Sequence, residues 1–186
     1  NDDYVQLAQR LSDHALGFTD KESFLDSDFE GMKVSEKLLE QTGIIGEKIE
    51  IGSFEHISAS FVGSYIHAGN KIASIVGFSE NFDNASDVGK DLSMQIAAMN
   101  PVAIDENGVS QEIIAKEIEI AKDQLRQEGK PEEMLDNIAK GKLKKFFKEN
   151  TLINQQFIKD SKISISQYIK GFSESVEVTD FSRVGI

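Results

Sequence analysis

Three histidines, His14, His56 and His67, are the side chains best suited to proton transfer or metal ligation in a chain that has no cysteine. They are too far apart in sequence for a local ligand motif, and a metal centre would need carboxylates converging from distant elements. No metal, cofactor or catalytic residue is expected. His14 ends an amphipathic stripe and reads as surface or boundary packing. His56 reads as exposed at a strand edge. His67 differs because it closes a period-two run just before a glycine-containing turn, in "GSYIHAGNKIASIVGF" (Gly63 to Phe78). A side chain there is presented on a rigid support. Its residues leave three roles open: a packed or hydrogen-bonded structural histidine, a protein contact, or the base of a hydrolase working with an acidic neighbour. The last needs a nucleophile and an orienting group, which the sequence does not identify.

Phosphate chemistry has no better footing. Neither a GxxxxGK[ST] loop nor a GxGxxG turn is present, and the glycine of "IAKGKLKKFF" lies inside a helical pattern, where it cannot form a cradle of backbone amides. The lysines Lys142, Lys144, Lys145 and Lys148 read first as a solvated helix end favoured by the macrodipole, and second as a contact for an acidic patch. With Phe146 and Phe147 beside them they also suggest RNA. A formal charge of −12, from 20 basic and 32 acidic residues, opposes a phosphate backbone at long range. No apolar run is long enough to span a bilayer. The lack of cysteine fits a reducing compartment, and the cytoplasm is expected. A first residue other than methionine suggests a fragment or processed product.

The elements that must position these residues follow from periodicity. "DDYVQLAQRLSDHALGF" places Tyr4, Leu7, Ala8 and Leu11 on one helical stripe, and "GMKVSEKLLEQTG" does the same with Val34, Leu38 and Leu39. From Glu47 the period falls to two, in "EKIEIGSF", "SASFVGSYIHA" and "KIASIVGF", which predicts three antiparallel strands. Phe61, Tyr65 and His67 share one face, while Val62 and Ile66 share the other. One face is expected to be buried against helices and the other to keep polar character. "SDVGKDLSMQIAAMN" then supplies a covering helix with Val88, Leu92, Ile96 and Met99. Ile114, Ile118, Ala121 and Leu125 face Leu135, Ala139, Leu143 and Phe146 in a helical hairpin, turning at Gly129 and Lys130, with Pro131 at the first helical position of its second helix. The tail offers a short helix, "SISQYIKGF", and a strand in "SVEVTDFSRV". If that strand returns to the sheet, the hairpin is an insertion.

This ordered set of segments resembles the bacterial translation elongation factor Ts family. The matches are "IGEKIEI" (Ile45 to Ile51), "GSYIHAGNKIASIV" (Gly63 to Val76), "DLSMQIAAMNP" (Asp91 to Pro101), the stretch from Ile114 to Asp160, and "VEVTDFSRVG" (Val176 to Gly185). The resemblance implies a non-enzymatic guanine-nucleotide exchange factor that promotes GDP release by stabilising nucleotide-free elongation factor Tu. It puts the family's amino-terminal module and its "TDFV" wedge motif before Asn1, so that this fragment would be impaired. Phe181 in "VTDF" aligns with the closing strand and does not inherit the wedge role. His67 inherits the histidine of the "GSYxH" element on the partner-binding surface, and Tyr65, Gly63, Gly69, Phe146 and Phe147 are taken as further partner-binding positions.

The fold class expected is α+β: an antiparallel sheet of three or slightly more strands packed by helices, an inserted antiparallel helical hairpin, and preceding helices from a partial second lobe. The division expected is 1–46 for that helical remainder, 47–104 with 151–186 for the core lobe, and 105–150 for the insertion. Elongation factor Tu is the expected partner, with self-association or a higher complex left open and no DNA or membrane. A ribosome- or RNA-associated structural protein is the alternative reading.

Overall fold

The computed structural model describes residues 2–186. Contacts divide the chain into two units, Asn1–His56 and Ile57–Ile186. The first contains α1 (Asp2–Ala15), α2 (Lys21–Asp26), a hairpin of β1 (Asp28–Phe29) and β2 (Met32–Lys33), and α3 (Val34–Ile45). Local chemistry fixes each boundary. The Asp20 carboxylate accepts the Ser23 N–H and the Ser23 hydroxyl, both at 2.8 Å, and starts α2, and these hydrogen bonds lower its pKa. Glu30 and Gly31, both at positive φ, make the two-residue turn between the strands. Glu36 accepts the Lys33 N–H at 2.9 Å at the start of α3, and left-handed Gly46 ends it. Leu7, Leu11, Phe24, Phe29, Val34 and Leu38 form the core; Leu39, on the expected stripe, is exposed. His14 is half-buried against Phe18 and Phe29, with Nε2 2.9 Å from Ser27 Oγ.

The second unit holds an antiparallel sheet in the order β3 (Phe61–Ile66), β4 (Ile72–Phe78), β7 (Val178–Gly185). Its third strand is therefore the tail, and the expected strand at 47–54 does not form. Among the described residues that segment has no ladder partner; Ile49, Ile51 and Phe54 lie against the first unit's core, with the Ile49 N–H held by Thr42 Oγ1 at 3.0 Å. Period two marks an extended chain with one buried side, and an unpaired segment meets that condition as well as a strand does. His56 is exposed, outside any strand.

Helix α4 (Ala85–Met99) covers one face of the sheet. Val88, Leu92 and Ile96 are fully buried with Val76 and Phe78, whereas Met99, on the expected stripe, is exposed. Strand β3 meets α4 at a pair of glycines. A Cβ added to Gly63 would lie 2.5 Å from the Gly89 Cα, closer than any real contact allows. Buried Gln95 ties the same helix to the segment around β5 (Gln156–Phe157). Its Nε2 donates to Gln155 Oε1 and Gln156 O, both at 3.1 Å, and its Oε1 accepts the Ile158 N–H at 2.9 Å. Asp91, a turn earlier, accepts from Lys159 Nζ at 2.5 Å and from the Tyr168 hydroxyl at 2.8 Å. Lys159 lies between β5 and β6 (Asp160–Ser164), and Tyr168 in α7 (Ile165–Lys170).

Between α4 and β5 the chain runs out along α5 (Gln111–Gln127) and back along α6 (Glu132–Asn150). Ala121, Leu125, Leu135 and Ala139 are buried between them, Gly129 turns the chain at φ 76°, and Pro131 is the N-cap residue, one place before the first helical position. The two ends of the excursion are hydrogen-bonded to each other: Val102 N–H to Asn150 O, Leu152 N–H to Ala103 O, and Ile153 N–H to Ile104 O. The tail strand β7 then pairs with β4, so the arm interrupts a unit that closes after it.

The glycine pair makes Gly63→Val a severe change. The side chain must push β3 off α4, and overpacking of this kind costs about 1–3 kcal/mol; urea unfolding should show that loss. A second expectation concerns pH. Burial, with the Asp91 hydrogen bond and charge, pushes the Tyr168 hydroxyl well above the usual phenol range. A folded pKa above the unfolded one contributes stability that is complete below pH ~10 and is lost as pH rises through the folded value. The stability difference between the native chain and Tyr168→Phe should accordingly shrink between pH ~9 and ~11. A constant difference across that range would mean that the hydroxyl is not held neutral by its surroundings.

Candidate protein-interaction site

His67 stands one residue beyond β3, and the backbone around it is fully occupied. Its N–H donates to Ile72 O at 2.8 Å and its carbonyl accepts the Asn70 N–H at 2.9 Å, closing a four-residue turn. Gly69, third in that turn, has φ 88°, a conformation that a side chain disfavours, and Asn70 follows at φ 56°. The imidazole is solvent-exposed, while half-buried Tyr65 supports it from below: Tyr65 Oη lies 3.1 Å from Nδ1, and the rings meet edge to face at 5.9 Å. Tyr65 lies opposite Ser74 in the ladder, whose Oγ donates to Ser93 O of α4 at 2.6 Å. The result is an aromatic and an imidazole at the tip of a hairpin whose other end is clamped to a helix.

The remaining sequence-derived positions fall into three settings. Gly63 is buried beneath α4, so its part in any site is to set the distance between strand and helix. Gly69 shapes the turn. Phe146 and Phe147 are half-buried near the carboxyl end of α6, 6.0 Å apart at 63°, and their carbonyls accept from Asn150 Nδ2 and Thr151 Oγ1. Among the described residues no hydrogen bond or ring contact joins this pair to Tyr65 and His67.

Two features escaped sequence reasoning. The sheet face away from α4 carries Val62, 39% exposed, and Ile66, 66% exposed, with half-buried Ala73, Ile75 and Val184 beside them. It was expected to keep polar character and does so in part: exposed Ser64 and Asp180 and half-buried Ser182 share it with these apolar side chains. Parity separated the two faces, but only the glycine at position 63 could have shown which one lies against a helix. The second is the β5–β6 hairpin: β5 is two residues long, and β6 does not alternate between buried and exposed positions.

Chemically, the tip can donate, accept and stack. Among the described residues no carboxylate hydrogen-bonds the His67 ring, and no cluster of three or more His, Asp or Glu side chains is arranged to hold a metal ion. The geometry suits recognition of a protein surface by a preorganised polar and aromatic tip with a mixed apolar and polar face beside it.

Comparison with known proteins agrees with the resemblance. The family model described as Elongation factor TS matches residues 1–186. The chain is 56% identical over 186 residues to Elongation factor Ts of Christiangramia forsetii, covering all of this chain and 68% of that protein. It is 53% identical to Elongation factor Ts of Flavobacterium psychrophilum with the same coverage. To Elongation factor Ts of Amoebophilus asiaticus it is 42% identical, covering 99% of this chain and 68% of the relative. With a family match over its whole length and relatives up to 56% identical over all of its residues, the chain belongs to the elongation factor Ts family.

Proposed function

We propose that this chain acts as a guanine-nucleotide exchange factor for elongation factor Tu, promoting GDP release by binding the nucleotide-free partner more tightly than the nucleotide-bound one. Family membership over all 186 residues carries this reading. Such a factor needs shape and differential affinity and no bond chemistry of its own, since a ligand shifts an equilibrium only by its preference for one state. It is accordingly read as non-enzymatic, and its place of action as the cytoplasm. His67 and Tyr65, held on the hairpin, are the contact groups, with Gly63 and Gly69 giving the support its geometry and Phe146 and Phe147 supplying a second area. The chain spans 68% of the length of the relatives named above. We propose that these residues alone supply affinity without the full distortion of the nucleotide pocket.

GDP release and equilibrium affinity, measured side by side for this chain and for the full-length Christiangramia forsetii relative, test both points. Weaker binding and slower release are expected of the 186 residues; equal stimulation would contradict the impairment, and no stimulation by either would sink the exchange reading. Within the same assay, His67→Ala should lose about 1–3 kcal/mol of binding if the contact is buried in the complex, and more than His67→Gln, which keeps some hydrogen-bonding capacity. Thermal unfolding of both variants alone should be close to native, since the ring is exposed. Unchanged affinity with reduced stability would make His67 structural.

The three-part division at 1–46, 47–104 with 151–186, and 105–150 is likewise a proposal. The hydrogen bonds that join the two ends of the arm support its third part, whereas residues 47–56 pack with the first unit and favour a boundary after His56. Deleting Val109 to Asn150 and joining the bases should leave cooperative unfolding of the remainder; a broad, non-cooperative transition would show that the arm is integral to the core.

A further inference from the structure

The lysines of α6 do not all do the same thing. Lys142 turns toward α5, with Nζ 3.1 Å from Gln124 Oε1 and 3.8 Å from Glu128. Lys140, Lys144 and Lys148 are exposed and make no salt bridge among the described residues, although Lys140 adds a weak field at Asp136; exposed Lys145 reaches only Glu149, at 3.7 Å. The three unpaired lysines stand at four-residue steps, ~6 Å apart along the axis. With Lys145 and Gly141 they occupy an arc of about 140° on the side away from Leu135 and Ala139.

Gly141 has no internal justification. Glycine inside a helix is disfavoured relative to alanine. Gly89 in α4 is explained by Gly63, and Gly43 sits in the last turn of α3, where the helix ends in any case. At Gly141, by contrast, an added Cβ would meet nothing within 4 Å. A bare patch of backbone flanked by unpaired cations, on an arm projecting from an acidic chain, fits something that must come close to the helix axis.

We propose that this face of α6 docks an acidic α-helix of a protein partner, crossing at Gly141, with carboxylates at four-residue spacing opposite Lys140, Lys144 and Lys148. Charge complementarity selects an anion, and matching pitch selects carboxylates on a helix. The missing side chain shortens the distance at which two helices can cross. A phosphate backbone is the poorer occupant, because the chain's −12 charge opposes a dense polyanion at long range. This surface is separate from the hairpin tip and does not depend on nucleotide exchange.

Three fluorescein-labelled probes test it by anisotropy at low and physiological salt: an alanine-rich helical peptide with glutamate at every fourth position, a peptide of identical composition with the glutamates scattered, and an oligouridine. The regular peptide should bind about tenfold more tightly than the scattered one and weaken with salt. Lys144→Glu with Lys148→Glu, and separately Gly141→Leu, should each weaken it by about tenfold. Leucine favours an exposed helical site over glycine, so the thermal midpoint of Gly141→Leu should not fall, and its loss of binding cannot then be ascribed to unfolding. Equal binding of the two peptides, native binding by Gly141→Leu, or preferential binding of oligouridine would overturn the proposal.

Discussion

The contact between Gly63 and Gly89 sets the geometry of the second unit. Two backbones meet where any side chain would intrude, and this lets α4 settle onto the β3–β4 pair closely enough for Val88, Leu92 and Ile96 to reach Val76 and Phe78. With α4 fixed there, its other polar groups find their partners. Gln95 satisfies the backbone leading into and out of β5, and Asp91 gathers Lys159 and Tyr168. An unpaired buried amide or carboxylate would be costly, so these bonds make the position of the helix specific as well as favourable. The hairpin tip inherits that specificity. Tyr65 and His67 lie two and four residues from Gly63 on the same strand path, and the orientation of the imidazole is set by a ladder that cannot shift without unpacking α4.

Much of this was legible in the sequence because long elements declare their period. The helices α1, α3, α4, α5 and α6, the strands β3 and β4, and the extended form of the tail follow from apolar spacing, whereas the tail's return to the sheet was left open. The error at 47–54 is instructive. Ile49, Ile51 and Phe54 repeat the spacing of Val176, Val178 and Phe181, and in both places alternate side chains bury against a helix-and-hairpin core. The second segment leads into a strand because β4 offers it an open edge, while the first is extended without a partner. Pairing is a property of the neighbour, which no local pattern contains.

The candidate site was legible in part for a similar reason. A histidine before a glycine turn can be read from spacing, and the support that Tyr65 gives it follows from parity. That Gly63 is packing, and that the side of Val62 and Ile66 is the open one, required knowing where α4 lies. Likewise, the lysines of α6 looked alike in sequence, and only the position of α5 separates Lys142, which is engaged, from Lys140, Lys144 and Lys148, which are free of ion pairs among the described residues.

Residue-resolved amide hydrogen exchange on the free chain tests the rigid presentation of His67 most directly. The His67 N–H, donated to Ile72, and the Asn70 N–H, donated to His67, should exchange within about tenfold of the Val76 N–H inside the sheet, because turn and strands open together. Exchange of His67 and Asn70 at the rate of an open loop, with Val76 still protected, would show that the tip moves independently of its clamp and would contradict a preorganised contact.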